Sequence, residues 1–210
     1  MILQHVYLVV LWILFCVLHS LFAATWFKLE VRKLLGDSFR FYRFYYSVFA
    51  TFSLVFLLYF LVTIESPQMF EVSIFFKLAA STIGIAGIVI MLICMRKYFT
   101  VVTGVKVFSA RKNATTILQT EGLHNYTRHP LYFGTLIFIW SLSIWFPSLS
   151  NLISCSMMSL YTIVGIQLEE RKLLAEYGPT YIHYSRNVPM LIPRFFPRRS
   201  KPRQSFPETV

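Results

Sequence analysis

Residues 2–27 read ILQHVYLVVLWILFCVLHSLFAATWF, an almost unbroken apolar run with His5 near its start and His19-Ser20 as its polar interior. About 20 residues rising 1.5 Å each cross the roughly 30 Å of bilayer hydrocarbon, so this run is long enough to span a membrane as a helix. It has no basic region ahead of it, and its apolar core exceeds the roughly 7–15 residues of a secretory signal. Lys28 follows directly, as expected for a retained first span.

Four further apolar stretches follow, at 45–64, 72–95, 131–146 and 152–168. Pro147 and Asn151 stand where a tight turn would join the fourth to the fifth, which predicts a helical hairpin. The expected fold is therefore an all-α integral membrane protein with five transmembrane helices, the last two forming a helical hairpin. Residues 1–193 form its membrane domain, and 194–210 a basic, Pro-rich tail. Composition agrees: 56% of residues are hydrophobic and only 14% charged, at a mean hydropathy of +0.60. A soluble domain carries roughly 25% charged residues.

Charge sets the orientation. All but one of the 20 Lys and Arg lie after span one, between spans three and four, or after span five. The exception, Lys77, sits near the other end of span three, where its stem can snorkel outward. The loop between spans two and three holds Glu65 and Glu71 and no base. The positive-inside rule then gives an outside N-terminus and a cytoplasmic C-terminus, with a bacterial inner membrane as the expected location. The net charge of +11 reads as topology and contact with anionic headgroups, not as a nucleic-acid surface. Cys16, Cys94 and Cys155 lie in apolar runs without metal-ligand spacing, so no metal is expected. No GxGxxG or GxxxxGK[ST] is present, which argues against those nucleotide sites.

Polar residues concentrate in two cytoplasmic segments. The first includes Arg128-His129-Pro130-Leu131-Tyr132-Phe133-Gly134. Pro130 suits the first turn of span four, which puts Arg128 and His129 at a helix N-terminus that favours an anion. Gly134 allows close approach of a ligand or another helix. In the second segment span five emerges with two adjacent acids, Glu169 and Glu170, and Gly178-Pro179 is expected to end that helix. A hairpin brings both segments to one membrane face, beneath aromatic walls. S-adenosylmethionine, with a carboxylate, an ammonium, a sulfonium and an adenine, suits such a pocket. Tyr181 and Tyr184 read as interfacial anchors, and Gly84 and Gly87 as close-packing positions between helices. The default for the two acids is pairing with Arg171, Lys172 or Arg96 on a solvated face. His19, ionisable within a span, is a functional candidate.

Residues 128–134 resemble the RHPxYxG motif of the isoprenylcysteine carboxyl methyltransferase and phospholipid methyltransferase superfamily. Glu169-Glu170 with Tyr177-Gly178, Tyr181, Tyr184 and Val188-Pro189 resembles its EE…(F/Y)GxxYxxY…VP signature. The resemblance implies an integral membrane methyltransferase that binds S-adenosylmethionine at the cytoplasmic face. It assigns cofactor contacts to Thr116, Ile117, Leu118, Gln119, His124, His129, Pro130, Leu131, Tyr132 and Glu169, and Glu170 joins them as the second acid. The position that matches a substrate-binding arginine in the eukaryotic enzymes is Gly165 here. The N-terminal half is similar to bacterial branches that include methanethiol-type S-methyltransferases and NnrU-like proteins. The implied acceptor is thus a prenylcysteine carboxylate or a small or lipophilic thiol. A thiol needs its proton removed, for which Arg128 is the expected cation and His19 the expected base. The competing reading is a non-catalytic NnrU-like sensor, assembly factor or transporter component on the same fold.

Overall fold

The computed structural model describes residues 1–102 and 118–194, with side chains of the first segment described to Arg96. Among these, six helices carry the fold: α1 (Ile2–Ala23), α2 (Thr25–Leu35), α3 (Tyr42–Thr63), α4 (Ile74–Val102), α5 (Pro130–Trp145) and α6 (Leu149–Asn187). Short 3₁₀ turns occupy Gly36–Phe41 and Gly122–Asn125.

Four segments are long and apolar enough to cross a membrane: Ile2–Ala23, Thr25–Thr63, Ile74–Arg96 and Leu149–Asn187. The expected fourth crossing corresponds to α5, an apolar helix of 16 residues that measures about 24 Å at 1.5 Å per residue. The outer faces are what a bilayer demands: Phe52 on α3 is 72% exposed, and Ile85 on α4 and Val10 on α1 are exposed as well. The expected tail beyond Arg194 lies outside the described residues.

Two boundaries differ from expectation. The first span ends at Ala23, not at residue 27, because Ala24 takes an extended conformation (φ −65°, ψ 138°) and the chain restarts as α2. No Gly or Pro marks this turn, so periodicity alone ran through it. The helix after span five breaks at Gly178 as expected, but it then resumes to Asn187. Gly178 sits at φ 50°, a region that costs a side-chain-bearing residue roughly 1–2 kcal/mol.

Two packing units position the site. In the first, Leu8 and Trp12 of α1 pack with Leu57 of α3, Ile64, and Ile153 and Met157 of α6. The buried Trp12 Nε1–H donates to Ser154 Oγ at 2.9 Å, so its polar handle is satisfied within the core. In the second, α4 and α5 approach through small residues. A Cβ on Gly87 would lie 2.7 Å from the Gly134 carbonyl oxygen, and one on Gly84 would collide with Ser141 Oγ. Gly84 and Gly87 are thus close-packing positions, and Gly134 serves helix contact.

The α5–α6 hairpin is present as expected, joined by residues 146–148. Ser148 Oγ caps α6 by accepting the Asn151 N–H at 3.3 Å. The two helices touch through longer side chains, with Trp140 Nε1–H donating to Ser159 Oγ at 3.0 Å. At the far end of the bundle the chain docks onto this turn, the Met69 N–H donating to the Pro147 carbonyl at 2.8 Å. His5 Nε2 meets Ser66 Oγ at 3.0 Å there. Lys77 stands over the Trp145 ring at 5.7 Å, near the same end.

Candidate functional site

The hairpin brings the N-terminus of α5 and the middle of α6 together. His129, 5% exposed, points Nε2 at Glu170 Oε1, 2.8 Å away, and holds Nδ1 3.7 Å from Glu169 Oε2. Arg128 Nη1 donates to the other oxygen of Glu170 at 3.1 Å, and the Tyr181 hydroxyl donates to Glu170 Oε1. Glu170 therefore collects three donors from the loop, α5 and the segment after Gly178. Glu170 is not paired with Arg171, Lys172 or Arg96 on a solvated face, the default expected of it: Arg128 and His129, across the hairpin, take it instead. Charge-assisted bonds of this kind are the stronger class, and the arrangement fixes the ring of His129.

Glu169 is placed differently. Its side chain is 45% exposed, and Tyr132, one turn into α5, hydrogen-bonds to it. The His129 and Tyr132 rings lie 5.7 Å apart, forming an aromatic edge beside that carboxylate.

Backbone latches hold the loop. The Arg128 N–H donates to the Pro189 carbonyl at 2.9 Å and the His129 N–H to the Met190 carbonyl at 3.2 Å. Thr127, 2% exposed, donates its hydroxyl to the Leu191 carbonyl at 2.9 Å. The Val188-Pro189 stretch thus works as a strap that sets the height of Arg128 and His129. The Tyr184 hydroxyl donates to the His124 carbonyl at 2.8 Å, and His124 Nδ1 lies 3.2 Å from the Arg128 carbonyl.

Tyr181 and Tyr184 are buried structural ties, not the interfacial anchors expected of them; Tyr181 is 2% exposed. Burial, then the Glu170 carboxylate beside it, pushes the Tyr181 phenol well above its ordinary ionisation range. The i, i+3 spacing of Tyr181 and Tyr184, after the break at Gly178, is the signal that could have revealed a buried face. Thr127 carries no such signal, because its partners are carbonyls more than sixty residues away in sequence.

His19 lies on α1, within a second polar group. The Tyr46 hydroxyl of α3 approaches its Nε2 at 2.9 Å, and its ring meets Tyr161 of α6 edge-on at 6.1 Å. Ser20 Oγ and the Tyr161 hydroxyl are 3.1 Å apart. Tyr46 and Tyr161 are within electrostatic reach of Tyr132, so this group borders the Tyr132–Glu169 side of the hairpin. Of the other expected contacts, Pro130 is buried, Leu131 is exposed, and Leu118 and Gln119 lie half-buried ahead of the Gly122 turn. Thr116 and Ile117 lie outside the described residues.

The donor set suits a zwitterionic nucleoside such as S-adenosylmethionine on three counts. Glu169 offers an accessible carboxylate for an ammonium. The N-terminus of α5 has no side-chain cap. Arg128 Nε is buried with no hydrogen-bond partner among the described residues, which leaves a cationic donor available to a carboxylate.

A family model described as a protein of unknown function, DUF1295, matches residues 6–188. The chain belongs to the DUF1295 family. This DUF1295 chain is 37% identical over 86 residues to a methanethiol S-methyltransferase of Crocosphaera subtropica, covering 41% of this chain and 33% of that one. It is 38% identical over 94 residues to methanethiol S-methyltransferase 2 of Bradyrhizobium diazoefficiens, covering 44% and 35%. It is 33% identical over 91 residues to the protein-S-isoprenylcysteine O-methyltransferase of Schizosaccharomyces pombe, covering 41% and 37%. The aligned segment spans only about a third of the length of each of these relatives. These relatives bear out the resemblance to the isoprenylcysteine carboxyl methyltransferase superfamily. No solved structure matches the chain.

Proposed function

We propose that this DUF1295 protein is an integral membrane methyltransferase that uses S-adenosylmethionine, crosses the bilayer five times with its N-terminus outside, and binds the donor where α5 and α6 meet on the cytoplasmic side. The observation that carries the reading is the convergence of His129 with Glu169 and Glu170, at 3.7 and 2.8 Å, across the hairpin.

In this reading Glu169 receives the ammonium of the donor. The α5 N-terminus at Leu131 and Tyr132, with Arg128, receives its carboxylate, and Leu118, Gln119 and His124 close the near side. When bound, the cofactor supplies an electrophilic methyl on a sulfonium. Glu170 contacts the chain itself, so it positions His129 and Arg128 and is not a free ligand. Alignment of reactants in a water-poor site supplies up to ~7–11 kcal/mol of such a barrier, and the hairpin ends give that alignment.

The acceptor is a small or lipophilic thiol or a prenylcysteine carboxylate, following the two kinds of relative. A thiol gives up its proton to a ring nitrogen of His19, which Tyr46 orients, and the Arg128 cation favours the thiolate. A carboxylate arrives already ionised and needs neither. Gly165, with no atom within 4 Å of where its Cβ would be, leaves open space where the eukaryotic enzymes place a substrate-binding arginine, which weighs toward the thiol.

Labelled S-adenosylmethionine and nanodisc-held protein test the reading directly. Saturable binding that weakens in Glu169→Ala supports it, and a panel of thiols, prenylcysteines and phosphatidylethanolamine identifies the acceptor by which product carries label. Folded protein that binds no donor would instead favour a non-catalytic, NnrU-like role.

A further inference from the structure

A second cavity lies on the α1–α3 side of the molecule, and of the His19 group only Tyr46 reaches its wall. The end of α1, helix α2, the turn at Gly36–Phe41 and α3 enclose a groove of about 760 Å³. Phe22, Phe27, Val31, Tyr42, Tyr45 and Phe49 line it, so its walls are apolar and aromatic. That volume is in the range of small-molecule ligand sites, roughly 300–1,000 Å³, enough for part of a lipid's apolar body. The Tyr42 hydroxyl is already spent on the Phe22 carbonyl, 2.8 Å away, leaving the wall without a free polar demand there.

At this groove's edge, next in sequence to Phe27 and Tyr42, stand Lys28 and Arg43. Lys172 of α6 joins them within electrostatic reach. Burial, then repulsion from Lys172 and Arg43, lowers the affinity of the half-buried Lys28 amine for its proton. Arg43 of α3 and Lys172 of α6 thus each lie within electrostatic reach of Lys28 on α2, and among the described residues no carboxylate forms an ion pair with any of the three. The acids nearest in sequence are engaged elsewhere: Glu30 with Lys33 at 2.7 Å, and Glu170 with Arg128 and His129. Convergent cations of this kind are stabilised by an anion. An apolar groove opening beside them calls for an anion that carries a hydrocarbon body.

We infer that an anionic phospholipid of the surrounding leaflet docks here, its phosphate held by Lys28, Arg43 and Lys172 and its apolar part lying along the groove between α2 and α3. A free phosphate would satisfy the cations and leave the groove unfilled, so the lipid is the occupant. This inference stands apart from the donor site, because it is read from lipid retention and not from methyl transfer.

The test is native mass spectrometry of the full chain released from nanodiscs of phosphatidylglycerol or of phosphatidylcholine. The wild-type protein is expected to retain phosphatidylglycerol in preference. Each basic group near an anionic surface contributes roughly a fivefold gain, so the triple variant Lys28→Gln, Arg43→Gln, Lys172→Gln loses about a hundredfold of that preference. A matched triple of exposed bases on other segments, Arg96→Gln, Arg186→Gln, Arg194→Gln, is expected to keep most of it. Val31→Trp fills the groove with every cation in place and is also expected to lose the lipid, which covers the case of a triple variant that does not fold. Equal loss in the two triples, retention by Val31→Trp, no preference in wild type, or full displacement of the lipid by inorganic phosphate would each overturn the inference.

Discussion

Glu170→Gln separates a positioning carboxylate from a ligand-binding one. Glu170 Oε1 accepts from His129 at 2.8 Å and from Tyr181, while Oε2 faces Arg128 Nη1 at 3.1 Å. A glutamine that keeps its oxygen toward His129 and Tyr181 turns its NH₂ group onto the arginine, donor against donor. One charge-assisted bond, worth about 1.5–3 kcal/mol, is lost. The fully buried limit of about 3–5 kcal/mol for a broken ion pair does not apply, because the Glu170 side chain is 20% exposed. A loss of about 2 kcal/mol in a protein of this size lowers the melting temperature by about 4–8 °C. Thermal unfolding in a single detergent, followed by tryptophan fluorescence, measures it. Glu169→Gln, at a side chain 45% exposed, is expected to melt within about 1 °C of wild type and to weaken donor binding. A stable Glu170→Gln beside a destabilised Glu169→Gln would refute the division of labour between the two acids.

Other outcomes follow from the same contacts. Gly87→Ala puts a methyl 2.7 Å from the Gly134 carbonyl oxygen; overpacking of about 1–3 kcal/mol against a propensity gain of about 1 kcal/mol lowers the melting temperature, whereas Gly165→Ala, into open space, does not. His19→Ala is expected to slow methylation of a thiol by about 10²–10⁴-fold, the range for a general base, and to spare a carboxylate acceptor; equal loss on both would remove His19 from the proton-transfer role. The Tyr181 phenol ionises above its ordinary value of 10.0 in the folded protein, while the unfolded chain ionises at that value. Its contribution is therefore complete below pH 10 and is lost as pH rises toward the folded value, so Tyr181→Phe flattens that part of an alkaline melting profile.

Chain-order information was enough for the broad architecture. The apolar run at 2–27, the basic loops and the Pro147-Asn151 turn pointed to membrane helices closed by a hairpin, because bilayer thickness and hydropathy act on each segment separately. The same holds for Gly84 and Gly87, whose small size in a span has one common use. Arg128, His129 and Glu169 were legible as candidates because their spacing in the two motifs is local.

What folding alone decided is who holds whom. Two adjacent acids are interchangeable as letters, yet Glu170 is drawn beneath Arg128, His129 and Tyr181 while Glu169 stays half-exposed beside Tyr132. That distinction needs the reversal at Gly178, which returns Tyr181 to the hairpin, and the Pro189–Met190 strap, which sets the loop against it. The turn at Ala24 and the meeting of Lys28, Arg43 and Lys172 belong to the same class. Helix formation is governed by neighbours a few residues apart, whereas hydrogen bonds and charge contacts between distant segments exist only once the packing has chosen which faces meet.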